Sequence, residues 1–473
     1  MTTRRRARRD GVSCGSLGNL ERVDNEFTAA PGRFGVVSFT GRHGRSIMTT
    51  PSFSTGAVAR PATTRRRRFS VVLMAAAMVL AAGPTVADAA PVVPQRDDEV
   101  VAQLPTRLGS ADARRQQRQA MQRLQQQPLQ LPLALTLARE AIERARRWGD
   151  PRELGQAQAV LAPWWSLAEP PPAVRLLRAT VLQSQHAFPA ALADLNALLS
   201  SASVPLPIQA QAELTRSSVW QVQGRWAEAQ EGCERLASAR YASLGTSAQW
   251  PAQVCLAELM SLQGRAPQGA QRLDRLVRET GGSAPWITLV RAELAERRGQ
   301  AGAEALYKQA LRPAGVEQPE ATDVYSLAAF SDWLLSQGRA REVVPLLVDR
   351  QDADALLLRL AIAWRTLGDE RAAVAIRTLD ERFDAASLRG DESHAREQAR
   401  HALDLKDKPV AALLLAQANW AVQKEPADAV LLVRAALAAQ RPEAAEPVWS
   451  MVRDTGFEDA RLHALSAARK GTR

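Results

Sequence analysis

The chain has 473 residues, with 61 Lys+Arg against 50 Asp+Glu, 46% apolar residues and 3 Cys. That content excludes a disulfide-framed miniprotein, a multi-span membrane protein and a chain disordered throughout. The net charge of +11 is concentrated at the front: residues 1–90 hold 14 Lys+Arg and 5 Asp+Glu, which leaves +2 for residues 91–473. A nucleic-acid partner needs a basic footprint on the folded module, so none is expected.

Residues 1–47 read as an unused or disordered basic extension. They contain GVSCG at 11–15, a match to the serine-hydrolase elbow, but no strand-to-helix context surrounds it. Met48 opens a more usual secretory signal, residues 48–89. Its basic n-region runs through Arg65–Arg68 to Phe69, its apolar h-region is 71–82, and Ala87-Asp88-Ala89 offers a small-x-small cleavage site. The apolar run of 12 residues is short of the roughly 20 that a membrane span requires. The arginine run also satisfies a twin-arginine pattern, although an ordinary basic n-region explains it as well. The expectation is export to the periplasm, with no transmembrane span after cleavage and residues 90–109 as a linker.

From residue 110 to 473 the text is rich in Ala, Leu, Arg, Glu and Gln, with apolar residues recurring at three- and four-residue steps, which predicts an all-α domain. An amphipathic helix over 133–142 is stopped by Gly149-Asp150-Pro151, where Asp can cap and Pro can open the next helix. A helix–turn–helix unit then recurs. Its turns fall at His186, Gly224, Gly264, Gly299, Gly338 and Gly368, separated by 38, 40, 35, 39 and 30 residues. That spacing predicts an α-solenoid of helix pairs.

In these units a Gly reverses the chain, an aromatic closes the turn and a small residue marks the helix crossing: Gly224, Trp226 and Ala229 in one, Phe188, Ala179 and Ala191 in another. With these features the chain resembles the tetratricopeptide repeat (TPR) family over roughly residues 110–473, as a degenerate array. The phrases GDPRELG (149–155) with LAPWW (161–165), and ANW (418–420) with QKEPAD (423–428), resemble a group of exported proteobacterial TPR proteins. That resemblance implies a helical solenoid in the cell envelope and no assigned reaction.

Motifs for catalysis are sparse: there is no G-x-x-x-x-G-K-[ST] loop, no H-E-x-x-H and no C-x-x-C. His394, Glu397 and His401 stand at i, i+3 and i+7, so one helix face could offer all three to a metal. A solvated face, with Glu397 paired to His401 or Arg400, is the simpler reading. Cys233 and Cys255 fall on the second helix of one pair and the first helix of the next. They read either as a disulfide or as two buried thiols. Most of the eleven tryptophans read as inter-helix core.

A solenoid of this kind lines its concave face with first helices. By family register the groove candidates are Thr180, Gln183, Ser218, Gln221, Glu258 and Ser261, polar and mostly uncharged, which suits hydrogen bonding to a peptide. The expected function is an exported, non-enzymatic scaffold or adaptor, without cofactor, that binds an envelope protein or peptide through this face. Two alternatives stand beside it: an assembly subunit that uses its ends or convex face, and an enzyme of unrecognised type at His394/Glu397/His401.

Overall fold

The turn chemistry organises the fold. In the computed structural model, which describes residues 111–280, 285–312, 323–388 and 395–471, a residue in the left-handed region sits between the helices of each successive pair. Gly149, Gly224, Gly264, Gly299, Gly338 and Gly368 have φ between +63° and +77°, and His186, Asp407 and Gln440 take φ of 51–55° at equivalent turns. Such a residue ends one helix and turns the chain back onto it. The proposed extension 1–47, signal 48–89 and linker 90–109 lie outside the described residues.

The described residues are helical, without strands. After α1 (Ala111–Gln126) the pairs are α2 (Leu131–Trp148) with α3 (Arg152–Val160), followed by the short α4 (Ala162–Trp165), and α5 (Pro172–Ser184) with α6 (Phe188–Ser200). Next come α7 (Leu206–Val222) with α8 (Trp226–Leu236), α9 (Thr246–Leu262) with α10 (Ala266–Glu279), and α11 (Pro285–Arg297) with α12 (Ala303–Ala310). The second half holds α13 (Val324–Ser336) with α14 (Ala340–Leu347), α15 (Asp354–Leu367) with α16 (Arg371–Leu388), and α17 (Ala395–Asp404) with α18 (Pro409–Val422). It ends with α19 (Pro426–Ala438), α20 (Glu446–Thr455) and α21 (Ala460–Gly471).

The first helices form a continuous stack, α5 on α7, α7 on α9, α9 on α11, α11 on α13, α13 on α15, α15 on α17 and α17 on α19. This is a solenoid-like, all-helical architecture. Pro lies in the first turn of α5, α6, α7, α10, α18 and α19, where its missing N–H costs no intrahelical bond. Ala179 and Ala191 are fully buried where α5 and α6 meet. At Gly269 a methyl group would stand 2.5 Å from the Ala257 carbonyl oxygen, so α10 rides directly on the α9 backbone. Cys233 and Cys255 form a disulfide between α8 and α9, with Cα atoms 6.1 Å apart.

The stack does not stay open. Its second half returns to its own first half, turn against turn. A methyl group at Gly149 would lie 3.2 Å from Val324, at Gly224 2.7 Å from Lys424, and at Gly264 3.2 Å from the carbonyl oxygens of Thr455 and Gly456. The Lys424 N–H donates to the Val222 carbonyl at 2.7 Å, and the Gln423 amide lies 3.0 Å from the His186 ring nitrogens. One apolar core joins Trp226, Leu256, Leu259 and Leu262 of the first half to Ala416, Trp420, Leu432, Phe457 and Leu462 of the second. Burying large apolar side chains at roughly 25 cal/mol per Å² makes this closure an integral part of the fold.

Candidate functional site

The first-helix stack was the expected binding face, and its polar residues lie inside the closed structure. Thr180, Gln183, Ser218 and Glu258 are 9%, 6%, 5% and 2% exposed, and Ser261 is fully buried; Gln221 is half-buried. Apart from Gln221 they do not line an open groove. Thr180 and Ser218 donate their hydroxyls to the carbonyls of Leu176 and Leu214, one turn back in their own helices. Ser261 donates to the Glu258 carbonyl and accepts from Arg297 Nη2, both at 2.6 Å.

Beside Ser261 the covering layer is identifiable. Arg297, at the end of α11, places its guanidinium 5.8 Å from the ring centre of Phe457. Its neighbour Glu296 accepts from Arg461 Nη1 of α21 at 2.9 Å and from the Tyr307 hydroxyl at 2.5 Å. Burial raises the Glu296 carboxyl above the usual range, and Arg461 opposes that shift. Burial also disfavours charge on Arg461, yet Asp459 and Glu296 more than compensate and hold its pKa above the ordinary value. The two ions are held in place by each other.

Two further ionic clusters fasten the later helices. Asp332 on α13 accepts from Arg359 at 2.6 Å and Arg400 at 2.7 Å. Burial alone would push its carboxyl up, but the two guanidinium groups bring it below the usual range. At the start of α19, Arg396 donates to Asp428 at 2.6 Å and to Glu425 at 2.5 Å, and Asn419 donates to Asp428 at 2.7 Å. Glu425 and Asp428 also form a capping box. The sequence signal for this was EPAD after a polar stretch, a carboxylate at the cap and another three residues on. Nothing local marked Asp332, Glu296 or Arg461, whose partners come from distant helices.

The metal face does not assemble among the described residues. His394 lies outside them. His401 is 7% exposed; its Nε2 is 3.5 Å from Asp380 and its ring meets the Phe383 ring edge-on at 5.4 Å. Burial lowers its pKa against the opposing pull of Asp380. Arg400, which could have paired with Glu397, instead serves Asp332 and Asp404. Among the described residues no group of three His, Cys, Asp or Glu side chains could hold a metal ion.

The tryptophans divide. Trp226, Trp333, Trp364 and Trp420 are buried, whereas Trp164, Trp165, Trp220 and Trp286 are half-buried. Trp220 lies under Arg216 and Arg225, at 4.6 and 5.5 Å from the ring centre. On the outside, α18 leaves Val410, Leu414 and Val422 at 56%, 62% and 41% exposed. Their spacing of four and eight residues sets them along one side of the helix. Among the described residues no helix is long and apolar enough to cross a membrane.

No protein-family model matches the chain, and no curated protein matches it.

Proposed function

We propose that this chain is an exported, non-enzymatic helical-repeat scaffold of tetratricopeptide type in the bacterial envelope, and that it contacts another envelope protein through its outer helices. Export rests on the signal-like segment 48–89, and the repeat type rests on the turn and crossing residues at 179–229. One observation carries the choice of face. Thr180, Gln183, Ser218, Glu258 and Ser261 are buried by the chain's own helices, while α18 presents Val410, Leu414 and Val422 to solvent. Exposed apolar residues gathered on one helix face favour a partner surface over free solvation.

The test is a crosslinked pull-down from envelope extract with residues 90–473 as bait, beside baits carrying Leu414→Lys or Gln221→Glu. The expected result is a partner captured by the parent and by Gln221→Glu and lost with Leu414→Lys. The reverse pattern would return the contact to the first-helix face.

A further inference from the structure

The 14 residues of α18, PVAALLLAQANWAV, include no ionisable side chain. Its inner side gives Ala412, Leu413, Ala416, Asn419 and Trp420 to the interior. Its other side leaves Val410, Leu414, Gln417, Ala418, Ala421 and Val422 exposed. Steps of three and four residues set these in one stripe along about three turns of helix. A helix that meets only water on its outer side carries charged and polar groups there. This stripe has one polar residue, Gln417, and is otherwise suited to another helix.

The order of side chains along the stripe selects its occupant. Two copies of α18 laid antiparallel about a two-fold axis level with Ala416 bring together residues equally spaced on either side of it. Leu414 then faces Ala418 of the second copy, and Val410 faces Val422. The two-fold repeats each pair, so a large side chain meets a small one in both Leu–Ala contacts, which lets the helices approach closely. Charge follows the same symmetry. Lys408, just before α18, is exposed and makes no ion pair among the described residues. The axis sets it beside the far end of the second α18, where the Glu425 carboxylate is 19% exposed. Lys424 at that end is turned onto the Gln223 carbonyl.

We propose that the exposed side of α18 pairs antiparallel with the same side of a second copy of this chain, and that this pairing occupies the face otherwise open to a partner. The proposal deepens the scaffold reading, on which its regulatory sense rests: self-association withdraws the partner surface as concentration rises. A stripe one helix wide falls short of the roughly 800 Å² per partner of a standard stable interface. The pairing is therefore weak and reversible, with a Kd on the order of 10–100 μM.

The test has two arms on the purified full chain. In sedimentation velocity the parent should pass from monomer at about 1 μM to mostly dimer at several hundred μM, and Leu414→Lys should raise the midpoint at least about 10-fold. The second arm reads the register. In a Cys14→Ser background, with Cys233 and Cys255 already bridged, Leu414→Cys and Ala418→Cys chains are prepared separately and oxidised mildly, alone and mixed. The mixture should give at least about 5-fold more disulfide-linked dimer than either alone, because like positions are offset by about 6 Å along the axis. A parent that stays monomeric throughout overturns the proposal. So does self-association that Leu414→Lys leaves unchanged, or crosslinking no greater in the mixture than in the single chains. A monomeric parent whose envelope partner is still lost with Leu414→Lys would keep the scaffold reading and end this one. The α18 substitutions lie at exposed positions, and circular dichroism checks that each variant is folded.

Discussion

Asp332 on α13 and Arg400 on α17 are joined at 2.7 Å across a separation of 68 residues, and the second carboxylate oxygen of Asp332 accepts from Arg359. One carboxylate thus neutralises two guanidinium groups, whose side chains are only 14% and 8% exposed. Replacing Asp332 by Ala leaves both without it. The expected loss is about 2–3 kcal/mol, below the figure for a fully buried pair because Asp332 retains some solvent contact. Urea unfolding of Asp332→Ala, Arg400→Ala and the double variant reads this directly. Coupling below about 0.5 kcal/mol would mean that the pair does not act together.

His401 makes the fold sensitive to mild acid. Burial lowers its folded pKa below the ordinary 6.5, so the unfolded chain takes the proton more readily. Its contribution to stability is complete above the unfolded value and is lost as pH falls from there toward the lower folded value. Asp380, Lys406 and Lys408 set the local field. The melting temperature of the parent should drop between about pH 7.5 and 5.5 by more than that of His401→Gln. Equal drops in the two proteins would remove His401 as the cause.

Two glycine turns separate conformational freedom from close approach. Gly264 and Gly338 have φ of +73° and +70°. A methyl group at Gly264 meets two backbone oxygens at 3.2 Å, while at Gly338 nothing lies within 4 Å. Gly338→Ala should cost about 1 kcal/mol for the left-handed backbone alone. Gly264→Ala should cost about 1–3 kcal/mol more, because the α20–α21 turn must shift. Equal losses in thermal unfolding would show that the contact at Gly264 yields freely.

The Cys233–Cys255 bridge closes a loop with a sequence separation of 22 residues. In the chain-entropy model that is worth about 3 kcal/mol. Urea unfolding of the oxidised protein against Cys233→Ala/Cys255→Ala should show a loss of this order. A loss under about 1 kcal/mol would mean that the unfolded chain is not appreciably constrained by the bridge.

Helix pairs were legible because their causes are local. Apolar steps of three and four residues, Pro at helix starts and Gly at turns place α2 through α16 almost without tertiary information. The same logic misled at Thr180, Ser218 and Glu258, where a polar residue at a first-helix position reads as solvent-facing. In the folded chain each is buried, and no periodicity records that. His186 illustrates the difference. Its turn position was readable from spacing, but its partner Gln423, a separation of 237 residues, was not. Arg461 in the final stretch likewise looked like one surface charge among many, and only the fold sets it against Glu296.

An open array of helix pairs is extensible: one pair can be duplicated or removed and the remaining neighbours still match. The contacts of His186 with Gln423, Val222 with Lys424, Gly264 with Gly456 and Glu296 with Arg461 withdraw that freedom. Each fixes how many units must lie between its two ends, as a clasp fixes the number of links in a bracelet. Deleting a helix pair would put out of step every clasp that spans it, so among the described residues the number of pairs between the two ends of each clasp is a structural constant.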